Sequence, residues 1–244
     1  MYKIRASSIS TLLEGCGKVA NKFEWKDLEK MTESHIKLAI QVYNKNNGFE
    51  SADIDTLDMS AGTEQEPQAI MMYDEFLSTN YFKSYNDCRT EKGNKPFEVE
   101  NDWITGTRDF GSKEKTIDCK ISTDKNVFDL KRFSSPEINY TIQLNAYGWL
   151  YNTNDLELFN ALMPPTEQQI NKFFSNKNYN CKLTFEQEVE YREKILRCYD
   201  YDFLPLRKRV IIKKVENINN FESIVKSRVE VLNEWIEKNL KRTI

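Results

Sequence analysis

The run LELFNALMPP, Leu156 to Pro165, constrains the fold of this chain more than any other stretch. Its apolar residues barely alternate with polar ones, and a double proline stops it short of helix length. It reads as a buried strand. A strand covered on both faces belongs in a sheet with helices packed on each side. The neighbouring segments supply those helices: one from about Pro136 to Tyr151 (PEINYTIQLNAYGWLY), then two from about Thr184 to Tyr199 and from Asn219 to Leu240. Between the last two lies a further strand candidate, RVIIKKV.

Upstream, the β-rich runs PFEVEN, WITGTRDF and KTIDCKIST are separated by turn-like residues such as Gly111 and Ser112, which predicts a meander. Three helices precede it. Ser7 or Ser8 can cap a short one through about Leu13, and a longer one runs from about Thr32 to Tyr43 with Ile36, Ala39, Ile40 and Tyr43 on one face. The third is predicted from about Glu64 to Leu77, which puts Pro67 in its first turn, where proline is tolerated. The expected fold class is α/β (α+β), a mixed central sheet flanked by helices on both faces. One domain is expected over 1–244, with a core at about 56–165 and helical N- and C-terminal elaborations.

With 39% hydrophobic and 30% charged residues the chain has the composition of a soluble globular protein. No stretch approaches the roughly 18 apolar residues of a membrane span, and MYKIRASSIS lacks the apolar core of a signal peptide, so a cytoplasmic protein without membrane contact is expected. The five cysteines (Cys16, Cys88, Cys119, Cys181, Cys198) are odd in number and contain no CxxC pair, which argues against a disulfide framework or a zinc ribbon. His35 is the only histidine, so a multi-histidine metal site is excluded and a Ser/His/Asp triad would hang on one residue in a predicted helix. Carboxylates, lysine, amides and hydroxyls must carry any chemistry.

The net charge of -3 argues against a protein that coats DNA by bulk electrostatics. Its distribution is uneven. Residues 50–77 hold eight acidic residues and no Lys or Arg, whereas 203–244 hold ten Lys/Arg against five Glu. Such poles suit a protein that holds a cation in one place and a phosphate backbone in another, although solvated helix faces produce them too.

Asp109 ends one predicted strand, and Asp118-Cys119-Lys120 lies on the next. Alternation along a strand puts Asp118 and Lys120 on one face and turns Cys119 towards the core. Two carboxylates on adjacent strands make an oxygen site for a hard divalent ion such as Mg²⁺, and a neighbouring ammonium can hold a phosphate oxygen or orient an attacking water. Alone, D-x(8)-D-x-K is a weak pattern in a chain this charged. Three further pieces add specificity: Gly62 to Tyr73 has the form G-T-x-x-E-P-x-A-x-x-x-Y, Gly106-Thr107-Arg108-Asp109 reads G-T-x-D, and Gln143 and Tyr147 stand four apart on a helix.

In this order, the pieces resemble the YqaJ and lambda-exonuclease branch of the PD-(D/E)XK nucleases, over about Ser8 to Tyr151. The resemblance implies a restriction-endonuclease-like core and a Mg²⁺-dependent deoxyribonuclease, with Mn²⁺ able to substitute. It implies catalytic roles for Glu66, Asp109, Asp118, Lys120 and Gln143, and a metal held by Asp109, Asp118, Glu66 and the main-chain carbonyl of Cys119. It places Ser8, Arg5, Arg108 and Tyr147 at the DNA. Family members hold a 5′ phosphate with an arginine well ahead of the N-terminal Ser; the chain starts too close to Ser8 for that, which leaves Arg5 as the substitute. Arg108 stands where a small residue or proline is usual, and Asp118 where Glu is commoner.

The implied partners are linear duplex DNA ends, two further copies of the chain in a ring-shaped trimer, and a single-strand-annealing protein in phage-type recombination. Three alternatives share parts of the motif. A repair or restriction endonuclease would cut closed circles. A noncatalytic DNA-binding protein on the same scaffold would be expected to lose a carboxylate or the lysine. An iron–sulfur nuclease needs four cysteine ligands, and Cys181 and Cys198 are too isolated to supply them, so no iron–sulfur cluster is expected.

Overall fold

In a computed structural model, residues 1–14, 28–49, 57–83, 85 and 98–241 are described. Strands β1 (Ile4–Arg5), β2 (Val99–Glu100), β3 (Ile104–Gly106), β4 (Phe110–Gly111), β5 (Lys115–Ser122), β6 (Asp155–Leu162) and β7 (Val210–Val215) form two sheets. The larger has the order β4-β5-β6-β7 and is mixed: β5 and β6 run parallel, and β4 and β7 run antiparallel to their neighbours. The smaller has the order β1-β3-β2.

The predicted meander is therefore broken. The run WITGTRDF gives β3 to one sheet and β4 to the other, and Thr107 to Asp109 cross between them. Of the run PFEVEN, Pro96 and Phe97 lie outside the described residues.

Helices α1 (Ile9–Leu12), α2 (Glu33–Asn46), α3 (Leu57–Leu77), α4 (Lys125–Phe133), α5 (Ile138–Tyr151), α6 (Glu167–Cys181), α7 (Phe185–Cys198), α8 (Leu206–Arg209) and α9 (Phe221–Asn239) surround the sheets. The parallel β5–β6 pair requires a crossover, and α4 and α5 make it. Alternation along the strands then assigns the two faces. Ile117, Phe159, Ala161 and Val210 pack with Ala69, Ile70 and Tyr73 of α3 on one side. On the other, Leu156, Leu158 and Val215 pack with Leu144 of α5, while Leu162 and Ile211 pack with Phe128 of α4. This is the predicted mixed sheet covered on both faces.

Helix α3 begins earlier than expected, so Pro67 lies in its interior and not in its first turn. Proline has no N–H to donate, so the hydrogen-bond ladder is interrupted beside Glu66. At the other end, a second core joins β1, β3, α1, α2 and α9 to the far side of α5. Arg228 of α9, fully buried, ties that layer together: it donates to the carbonyls of Leu12, Leu28 and Lys30 and to Nδ1 of His35 at 2.9 Å. His35 Nδ1 also accepts from the Thr32 N–H at 3.1 Å, so the histidine completes a helix cap.

Neither Ser7 nor Ser8 caps a helix with its side chain; a 3-10 turn, Ala6–Ser8, leads into α1 instead. Among the described residues Cys119, Cys181 and Cys198 are free thiols, and no helix is long and apolar enough to cross a membrane.

Candidate active site

The β4–β5 hairpin builds the site. Gly111 turns it at φ +151°, and a Cβ there would lie 2.2 Å from the Lys115 carbonyl oxygen, so only glycine fits. Asp109, just ahead of β4, accepts a hydrogen bond at Oδ2 from the Cys119 N–H of β5 at 2.6 Å. Lys120 Nζ lies 2.8 Å from Asp118 Oδ2. Cys119 turns the other way, into the core beneath α3.

Asp118 is fully buried, and neither carboxylate oxygen has an aligned hydrogen-bond donor; the ammonium is an ion-pair partner outside hydrogen-bond geometry. Burying a carboxylate in this way costs several kcal/mol. Burial, and then repulsion from Asp109, push its pKa up to about 7, against the opposing pull of Lys120. Burial works against the charge of Lys120, but Asp118 and Asp109 outweigh it and hold the lysine firmly protonated. The centre carries an excess of negative charge that a cation would relieve.

Helix α5 forms the wall opposite. The Tyr140 ring lies 5.0 Å from Lys120 Nζ, and the Gln143 amide donates to the Tyr147 hydroxyl at 2.9 Å. Burial, and then the field of Asp109, keep Tyr147 protonated. Gly106 lets Tyr147 approach: a Cβ at position 106 would stand 2.8 Å from Ala6 Cβ and 3.1 Å from the Tyr147 ring. That close packing also sets the N-terminal turn with Ser8 beside the wall.

The remaining sequence candidates lie at varying distances from this centre. Glu66 of α3 accepts from the Tyr85 hydroxyl at 3.0 Å, and its field reaches the Cys119 thiol, whose pKa is raised by burial, Asp109 and Glu66 in that order. Among the described residues no three His, Cys, Asp or Glu side chains stand in a metal-holding group.

Arg5 is exposed on β1, paired in register with Thr105. Arg108 lies over the Tyr151 ring at 4.2 Å and donates to the carbonyls of Ser112 and Lys115, which clasps the hairpin. Its guanidinium is therefore engaged within the protein.

Sequence reasoning missed Tyr140, Ser122 and Lys131. Ser122 continues the alternation of Asp118 and Lys120 along β5, and Tyr140 precedes Gln143 by three on one helix face, so both carried a usable signal. Lys131 lies on a helix that was not foreseen.

The sheet order, the crossover and the placing of the helices give this chain the fold of solved phage-related and alkaline exonucleases. The chain is similar over its whole length to a phage-related exonuclease from Haemophilus somnus 129PT, with a TM-score of 0.66 and 18% identity, 98% of that chain being covered. It is also similar to an alkaline exonuclease (LHK-Exo) from Laribacter hongkongensis, with a TM-score of 0.57 and 13% identity over 99% of this chain and 92% of that one. The same enzyme in complex with dAMP aligns with a TM-score of 0.56 and 12% identity, over 99% and 91% of the two chains. No protein-family model and no curated protein matches the sequence.

Proposed function

We propose that this chain is a divalent-metal-dependent deoxyribonuclease that degrades linear duplex DNA from an end. One observation carries the reading: Asp118 is a fully buried carboxylate, repelled by Asp109, whose one close cation among the described residues is the Lys120 ammonium at 2.8 Å. Asp109, Asp118 and the Cys119 carbonyl fit Mg²⁺, which settles for one or two carboxylates and keeps several waters, and Mn²⁺ would substitute. Glu66, held by Tyr85, would reach the ion through water. When bound, the ion supplies water of lowered pKa and offsets charge on the phosphoryl oxygens.

The protein's own groups do the rest. Lys120, held between Asp118 and the Tyr140 ring, orients the attacking water or grips a phosphate oxygen. The Tyr147 hydroxyl, oriented by Gln143, stays protonated and can donate to the phosphodiester. The Laribacter enzyme was solved with dAMP, and a deoxynucleoside monophosphate is the product expected here. Assembly into a trimer and pairing with a single-strand-annealing protein complete the proposal.

The test is digestion of end-labelled linear duplex DNA, with and without a 5′ phosphate, beside closed circular DNA in Mg²⁺. Linear DNA should shorten to mononucleotides while circles survive, and EDTA or Lys120→Ala should stop the reaction. Circles cut as fast as linear DNA would mean an endonuclease. Unimpaired cutting by Asp109→Ala, Asp118→Ala and Lys120→Ala would remove the site altogether.

A further inference from the structure

Helix α4 carries three basic residues, and two have ion-pair partners. Lys125 pairs with Asp129, Arg132 reaches Asp129 and the carbonyls of Val210 and Lys208, and Lys131 alone forms no ion pair among the described residues. Lys131 is half-buried, and its ammonium donates to the Ser122 hydroxyl at 3.0 Å. Ser122 is buried on β5, two residues beyond Lys120 and four beyond Asp118, on the same sheet face. Lys131 thus leans over the strand that carries the catalytic groups, about 6.6 Å further along than Lys120.

An ammonium in that position is poorly compensated. Burial lowers its pKa and the charge of Lys120 lowers it further, with only the field of Glu137 opposing. A cation in the last turn of a helix is favoured by roughly 0.3–1 kcal/mol through the helix dipole. That preference accounts for a lysine at the end of α4. It does not account for a side chain turned inward, beside a second ammonium, when open solvent lies on the other side of the helix. An anion bridging the two lysines would resolve the conflict.

We infer that Lys131 is a DNA-backbone contact, gripping the phosphate next to the one held at Lys120, with the Ser122 hydroxyl fixing its direction. This inference rests on the nuclease reading and extends it, since it assigns a place for the strand to run from the metal site along β5 towards the end of α4. Lysine serves such a contact as a point charge, independent of base sequence.

Binding of a fluorescently labelled duplex to the full chain, followed by anisotropy in EDTA between 50 and 200 mM salt, tests this without cleavage. Lys131→Met, which keeps the apolar stem, should weaken binding about tenfold and lower the slope of log K against log salt by about 1. Lys131→Arg should keep the parent slope, and so should Lys125→Met, which removes a charge from the same helix away from Ser122. Lys131→Gln replaces the Met variant if that one fails to fold. A parent-like slope in Lys131→Met, or an equal loss in Lys125→Met, overturns the inference while leaving the nuclease reading intact. A parent protein that binds no DNA overturns both.

Discussion

The Cys119 backbone N–H donates to Asp109 Oδ2 at 2.6 Å, so one carboxylate braces the β4–β5 hairpin and, in the proposed reaction, would also hold the cation. The two duties separate by substitution. Asp109→Asn keeps an oxygen acceptor for the amide and should leave urea unfolding within about 1 kcal/mol of the parent, whereas Asp109→Ala orphans a buried N–H and should cost about 1–3 kcal/mol. Both should lose DNA cleavage. Equal stability of the two variants would show that the hydrogen bond does not hold the hairpin.

Asp118 is maintained at the expense of stability. Its carboxylate is buried, repelled by Asp109 and without an aligned donor, so a neutral amide there relieves more than it removes. In EDTA, Asp118→Asn should melt a few degrees above the parent, the equivalent of about 1 kcal/mol in a chain of this size. Added Mg²⁺ should then raise the melting temperature of the parent and leave that of the variant unmoved. A variant that melts lower in EDTA and still responds to Mg²⁺ would mean that Asp118 is not a ligand.

How much of this was legible in the sequence differs by element. The strand β5 was readable because its alternation is strict: Asp118, Lys120 and Ser122 face α4 and α5, and Ile117 and Cys119 face α3. Strand β6 was readable because it is apolar on both sides. Helix α4 was not, since Phe128 is its one buried residue, while Val127, Leu130 and Phe133 point outward and erase the periodicity that marks a core-facing helix. Helix α6 has the same defect, with Phe173 and Tyr179 turned to solvent. The split between β3 and β4 was hidden because strand propensity runs unbroken through the residues that cross between sheets. Lys131 escaped notice with the helix that carries it.

Stability should fall with acid through His35. The residue is fully buried, and burial and then Arg228 lower its pKa below the ordinary 6.5. The unfolded chain therefore binds a proton below about pH 6.5 that the folded protein refuses. This contribution to stability is complete above that pH and is lost as pH falls towards the depressed folded value. Urea unfolding from pH 7.5 to 5 should show this decline, and His35→Asn should flatten it from a lower starting stability. An unchanged slope in the variant would assign the acid sensitivity to other groups.

Gly106 should tolerate nothing larger. A methyl group there would sit 2.8 Å from Ala6 Cβ and 3.1 Å from the Tyr147 ring, between a methyl fixed to its own backbone and a buried ring. Overpacking of this kind costs about 1–3 kcal/mol. Because one of the displaced groups is the ring hydrogen-bonded to Gln143, Gly106→Ala should lower cleavage as well as the melting temperature. A variant that melts lower but cleaves at the parent rate, assayed well below its melting point, would show that Tyr147 has no part in the chemistry.

Tyr140 offers the sharpest separation of positioning from catalysis. Its ring faces the Lys120 ammonium at 5.0 Å, a cation–π contact worth about 0.5–2 kcal/mol. If the ring holds that ammonium where the phosphate must be met, losing it should lower kcat between about 2-fold and 30-fold. Tyr140→Leu should show this fall with little change in KM, because the proposed metal and the proposed Lys131 contact would still bind the substrate. Tyr140→Phe should keep the parent rate, since the ring face acts and not the hydroxyl. A Phe variant as slow as the Leu variant would transfer the role to the hydroxyl, and two variants as fast as the parent would show that the Asp118 pair alone sets the direction of Lys120.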